Sequence, residues 1–177
     1  MNNVSPVQTA LRYGTILGLA LIFIMVIFYI TGLLTNPSIA MVSGFIYLVI
    51  FVVVIVLAIR THKMDKQNGY ITLGKGLLIG LLTSLVASIL LFVFSYILYG
   101  IIDPDLIEAQ LKMTEEMMEN MGFMSEDQIE QSMEDARSKS SPLVYSLNQL
   151  VWVCCGGVIS LITALILKKD PLDDNTI

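Results

Sequence analysis

Four stretches of this chain are apolar for far longer than an ordinary core helix requires. They cover about residues 10–34, 39–59, 73–102 and 143–167. Crossing the hydrocarbon layer takes roughly 20 predominantly apolar residues in a helix, and each stretch is long enough. Helix is the expected state, because it satisfies its own backbone hydrogen bonds where water is absent. Arg12 and Lys75 stand near the starts of the first and third stretches, and no ionised side chain falls in any interior. The first stretch exceeds the roughly 7–15-residue core of a cleaved signal, and no small-residue cleavage site follows it. Ser5-Pro6-Val7-Gln8 reads as an N-cap, a proline at the first helical position and a capping-box partner. It is therefore expected to remain as an uncleaved span.

Residues 103–142 follow a different rhythm. Asp103 can cap a helix that starts at Pro104. At helical spacing, Leu106, Ile107, Gln110, Leu111, Met113, Thr114, Met117, Met118 and Met121 fall on one half of it. Asp105, Glu108, Lys112, Glu115, Glu116 and Glu119 fall on the other. Gly122 is placed to end this helix. Ser125 and Gln128 then form a capping box for a second helix with the narrower stripe Ile129, Met133 and Ala136. Ser138 to Pro142 breaks it before the last span. The predicted fold class is all-α: a four-transmembrane-helix bundle in one membrane domain over 1–177, with an amphipathic helical extracytoplasmic loop between helices 3 and 4.

Composition agrees, with 55% hydrophobic and 14% charged residues against about 25% charged in soluble domains. The net charge of −5 hides an uneven distribution. Arg12 flanks the first span; Arg60, Lys63, Lys66 and Lys75 surround the second connection; Lys168 and Lys169 follow the fourth span. The first connection, Thr35-Asn36-Pro37-Ser38, is uncharged, and 103–142 holds eleven acids against Lys112, Arg137 and Lys139. With four crossings every basic cluster falls on one side, which the positive-inside rule assigns to the cytoplasm. The expectation is a multi-pass protein of the bacterial inner (plasma) membrane with both termini cytoplasmic. Tyr13 and Tyr70 then belong to the inner aromatic belt, and Tyr29, Tyr96, Tyr99 and Tyr145 to the outer one. No basic stripe suggests nucleic acid, and the one certain partner is the lipid bilayer.

Small residues recur at four-residue spacing in three spans: Ala10, Gly14 and Gly18; Gly76, Gly80, Ser84 and Ser88; Gly156, Ser160 and Ala164. Such seams let helix backbones approach closely where lipid gives no hydrophobic drive. They serve contacts within the chain or with a second copy equally, so a homo-oligomer stays open. Arg12 before Gly14 and Gly18, and Lys75 before Gly76 and Gly80, also suggest a parallel internal repeat.

Catalytic, cofactor-binding and metal residues are all expected to be none. Cys154 and Cys155 point about 100° apart on a helix and make a poor disulfide or metal pair. His62, the single histidine, sits among Arg60, Lys63 and Lys66 and reads as an interfacial anchor. Met113, Met117 and Met121 share a face that monovalent copper would accept. They also lie where a core-facing stripe is required, and no His or Cys accompanies them. The acids lack the loop spacing of calcium sites and read as a solvated face. Transporters usually place an ionisable residue or a broken helix at mid-membrane; here the intramembrane polar groups are hydroxyls, mainly Thr83, Ser84, Ser88, Ser95, Ser160 and Thr163, with Asn148 and Gln149 near the outer end of the fourth span. An enzyme is not expected. The leading expectation is a non-enzymatic protein acting through a membrane or periplasmic protein partner at 103–142. The alternative is a small channel or transporter subunit with hydroxyls lining a pore.

Three features together carry a family likeness: Arg12-x-Gly14-x-x-x-Gly18, the lead Asn68-Gly69-Tyr70-Ile71-Thr72-Leu73-Gly74-Lys75-Gly76, and the Asp103-Pro104 start of the acidic segment. The chain resembles, over nearly its whole length, the domain of unknown function 4199 family of small four-span bacterial membrane proteins. The resemblance implies four helices with the segment after the third outside the cytoplasm. It implies no activity and no functional residues.

Overall fold

The structure is a computed structural model, and it describes residues 5–66, 69–122 and 124–168. Asn68 of the motif before the third span and Lys169 of the basic C-terminal flank lie outside these. The fold is 89% helical, and the described residues contain no strand. Helices α1 (Pro6–Ile30), α2 (Pro37–Lys66) and α3 (Leu73–Ile97) are followed by the shorter α4 (Leu106–Met121) and α5 (Glu126–Lys139), then α6 (Pro142–Leu147) and α7 (Val151–Leu167). A π turn at Leu98–Ile102 extends α3, and a 3-10 turn at Asn148–Leu150 joins α6 to α7. Among the described residues, four helical stretches are long and apolar enough to cross a membrane: Pro6–Ile30, Pro37–Met64, Leu73–Ile102 and Pro142–Leu167. This is a multi-pass integral membrane protein.

Local chemistry sets where the spans begin. Ser5 Oγ accepts the Gln8 N–H at 3.3 Å and Pro6 opens α1. Asn36 Oδ1 accepts the Ser38 N–H at 3.0 Å and Pro37 opens α2, two residues ahead of the purely apolar run.

The chain forms two compact units, one of Met1–Ala20, Leu48–Leu90 and Leu150–Ile177, the other of Leu21–Tyr47 and Leu91–Gln149. In the first, α3 is the helix on which the others converge. A methyl group added at Gly14 would stand 2.7 Å from Val86 Cβ, and one at Gly18 would stand 2.8 Å from Leu90 Cδ1. A step of four on α1 thus matches a step of four on α3, the register of a parallel pair. Against α7 the register reverses. Gly76 faces Ala164 (2.7 Å for the same added methyl), Gly80 faces Ser160, and Gly156 faces Ser84. Ile55 and Ile59 of α2 close on Gly80 and Gly76 from another side. The three small-residue seams are thus occupied by helices of this same chain. The nearest atoms to Gly14 and Gly18 belong to α3, whereas Gly76 and Gly80 meet α7 and α2, so the suggested internal repeat does not extend to the packing.

Three hydroxyls in these seams complete their hydrogen bonds locally, while Ser88 Oγ is buried without a partner among the described residues. Thr83 donates to the Ile79 carbonyl at 2.7 Å, Ser84 to the Gly80 carbonyl at 2.8 Å, and Ser160 to the Gly156 carbonyl.

One expectation fails here. His62 is not an interfacial anchor but is fully buried, its Nδ1 3.0 Å from Thr9 Oγ1. The reason is helical phase. His62 continues the buried stripe of Ile55, Ala58 and Ile59 on α2, while Arg60 turns outward. Beside it Tyr13 Oη bonds Thr61 Oγ1 at 2.9 Å, and Lys63 Nζ donates to the Leu167 carbonyl at 2.8 Å. That bond places a cation on the open carbonyl end of α7, where it is favourable.

Candidate interaction surface

The second unit is built around α4 and α5, whose sequences alternate between apolar and acidic faces. The chain enters them differently from the capping expected at Asp103. The Asp103 N–H bonds the Leu98 carbonyl at 2.8 Å, closing the π turn, and its carboxylate accepts the Tyr29 hydroxyl at 3.1 Å. With that side chain engaged, Pro104 and Asp105 form the turn and α4 starts at Leu106. The boundaries at Gly122 and Ser125 follow the sequence signals, and a further cap stands at Ser141. Gly122 ends α4 with φ 64°, a left-handed conformation that glycine adopts without strain. Ser125 and Gln128 close a reciprocal capping box at the start of α5. Ser141 Oγ caps α6 by accepting the Val144 N–H at 3.2 Å.

The apolar stripes of both helices are taken up by one core. Leu106, Ile107 and Leu111 of α4 and Ile129 and Met133 of α5 are buried with Met25, Leu98 and Tyr99. Tyr29, Leu34, Phe94, Met118, Ala136 and Tyr145 pack around them, and the Tyr99 and Tyr145 rings meet edge-on at 5.5 Å. Each buried Leu, Ile or Met side chain contributes about 1.5–3 kcal/mol, enough to seat two otherwise polar helices.

What remains outward is acid. Arg137 of α5 reaches across to α4, its guanidinium 3.0 Å from Glu115 and 3.4 Å from Glu108. Lys139 holds Asp135 at 2.6 Å. Asp105, Glu116, Glu119, Glu126, Asp127, Glu130 and Glu134 are exposed and form no ion pair among the described residues.

A profile of the family described as "Protein of unknown function (DUF4199)" matches residues 12–169. The chain belongs to the DUF4199 family. No curated protein and no solved structure matches it.

The match takes in the glycine seams and the acidic helices alike, so both are parts of the DUF4199 domain. Within it the methionines divide. Met133 is buried, Met118 packs against the core, and Met113 and Met117 are partly covered. Met121, expected on the core face, is instead 47% exposed, as is Met124 at 39%. The core ends at Met118, so the last turn of α4 projects beyond it. Met117 and Met121 line an open cleft of about 230 Å³ with Pro37, Ser38 and Asn120.

The other candidates do not converge in this DUF4199 chain. Cys154 is exposed and Cys155 half-buried, and both are free thiols. Among the described residues no three His, Cys, Asp or Glu side chains could share a metal ion. Ser146 is buried and donates to the Pro142 carbonyl at 2.6 Å, while Asn148 is exposed and Gln149 half-buried. The Arg137 clamp and the Tyr29–Asp103 bond escaped sequence reasoning. A signal for the clamp was present: Glu108 and Glu115 stand seven residues apart on one helical face, the spacing a single guanidinium on a neighbour can bridge.

Proposed function

We propose that this DUF4199 protein is a non-enzymatic inner-membrane protein that acts by docking a basic protein partner onto the α4–α5 surface outside the cytoplasm. The observation that carries the reading is the division of labour on those two helices. Most of their apolar face is occupied in the core, with Met121 at the end of α4 left exposed, so what they chiefly offer a partner is a row of carboxylates with no ion pair among the described residues. Charge of one sign over a surface steers an oppositely charged partner and selects against others. The placement outside rests on Arg12, Arg60, Lys63, Lys75 and Lys168 flanking the other ends of the spans. The same distribution supports cytoplasmic termini.

Neutralising the surface tests it. With Glu116, Glu119, Glu130 and Glu134 changed to Gln, a membrane or periplasmic protein that co-purifies at low salt should be lost, as it should from the unaltered protein at high salt. An unchanged set of co-purifying proteins contradicts the reading. A small channel or transporter subunit has less support, because Thr83, Ser84 and Ser160 bond carbonyls of their own helices and the Ser84 and Ser160 side chains pack against glycines, as helix-joining groups do.

A further inference from the structure

A cleft of about 280 Å³ opens where α4, α5 and the first turns of α6 meet. Its floor is apolar: Leu111 and Met133 are buried there, and Met118 and Ala136 are partly covered. Its mouth carries Val144, 43% exposed, with Asn148 and Lys139. Val144 shares the exposed apolar side of α6 with Leu143 and Leu147, at the start of the fourth membrane-spanning stretch. The cleft is therefore continuous with an exposed apolar surface at the start of a span, the kind of surface that suits lipid. An acyl chain can enter it sideways without crossing water, which a soluble peptide cannot do.

Charge at the mouth narrows the occupant. Lys139 Nζ pairs with Asp135 at 2.6 Å, and both side chains are well over half exposed. A pair so exposed is weakly held and exchanges partners readily. Lys139 lines the cleft, and its partner Asp135 lies just outside it, beside Gln131, Glu134 and Ser138 on the outer side of α5. The pair thus sets a cation and an anion side by side at the edge of the apolar slot, as a zwitterionic head group above a hydrocarbon tail requires. We propose that this cleft holds one acyl chain of an amine-bearing zwitterionic phospholipid, its phosphate toward Lys139 and its ammonium toward Asp135. The tail completes the packing that α4, α5 and α6 leave open, so the acidic helices are seated partly on lipid. The inference stands apart from the docking role: it needs the cleft at the membrane surface, not a partner or an orientation.

Native mass spectrometry of the full-length protein, offered equal amounts of phosphatidylethanolamine, phosphatidylglycerol and phosphatidylcholine, provides the test. One phosphatidylethanolamine should survive collisional activation that strips all other lipid. Ala136→Trp and Thr114→Trp fill the cleft from α5 and α4 respectively, and each should lower the retained fraction at least tenfold. Val53→Trp, on an exposed face of α2, should not. Circular dichroism establishes that each variant is folded, and Ala136→Leu replaces a tryptophan variant that is not. Asp135→Ala with Lys139→Ala should keep a bound lipid but lose the preference for ethanolamine. No retained lipid, retention unmoved by filling the cleft, or selection of phosphatidylglycerol by the unaltered protein each overturns the proposal.

Discussion

Where Gly80 faces Ser160 and Gly156 faces Ser84, helices are joined by the near absence of side chains. Where α4 and α5 meet, Leu111, Ile129 and Met133 interdigitate and the outer faces are acidic. The first arrangement belongs to a solvent as apolar as leucine, in which burying a large side chain gains little and close backbone contact supplies the attraction. The second belongs to water, where apolar area removed from solvent is the driving term. One short chain thus uses two rules for packing helices, and each rule fails in the other's solvent. Adding volume should damage the first unit and removing it should damage the second.

The largest effect is expected from deleting volume in the water-facing core. Met133→Ala should cost the second unit about 3 kcal/mol. Hydrogen exchange should show faster opening across 106–139 with little change across 76–88. Next comes adding volume to a seam. Gly80→Ala should destabilise the protein by about 2 kcal/mol in equilibrium unfolding from bicelles, as overpacked contacts do. Adding Ser160→Gly should restore more than half of that loss, because the atoms that collide with the new methyl are those of Ser160. The smallest effect belongs to the surface. Arg137→Ala should cost less than about 1 kcal/mol, and less still at high salt, since Arg137 and Glu108 are substantially exposed.

The four spans were legible because a run of some 20 apolar residues has few readings in water and one in a membrane. The helix boundaries at Pro6, Gly122 and Ser125 were legible because capping depends on residues within four positions of each other. Contacts far apart in sequence were not. Tyr29 takes the carboxylate of Asp103 across 74 positions, and that displaces the start of α4. His62 looks polar and basic in its local company, yet the phase of α2 turns it inward to Thr9, 53 positions away. Met121 has the right phase for the core but lies past the point where the core ends. Which helices the glycine seams join was equally hidden, because small-residue spacing marks a surface for close approach without naming its neighbour.

We propose that the acidic pair of helices and the basic ends of the spans occupy opposite sides of one membrane. Cysteine labelling in intact cells decides it. With Cys154 and Cys155 replaced by Ala, a single cysteine is introduced at Glu116, Glu130, Arg60 or Lys168. A membrane-impermeant maleimide should modify positions 116 and 130 in whole cells, and positions 60 and 168 only after the membrane is opened. Labelling of 60 or 168 in sealed cells, or protection of 116 and 130, would contradict the account.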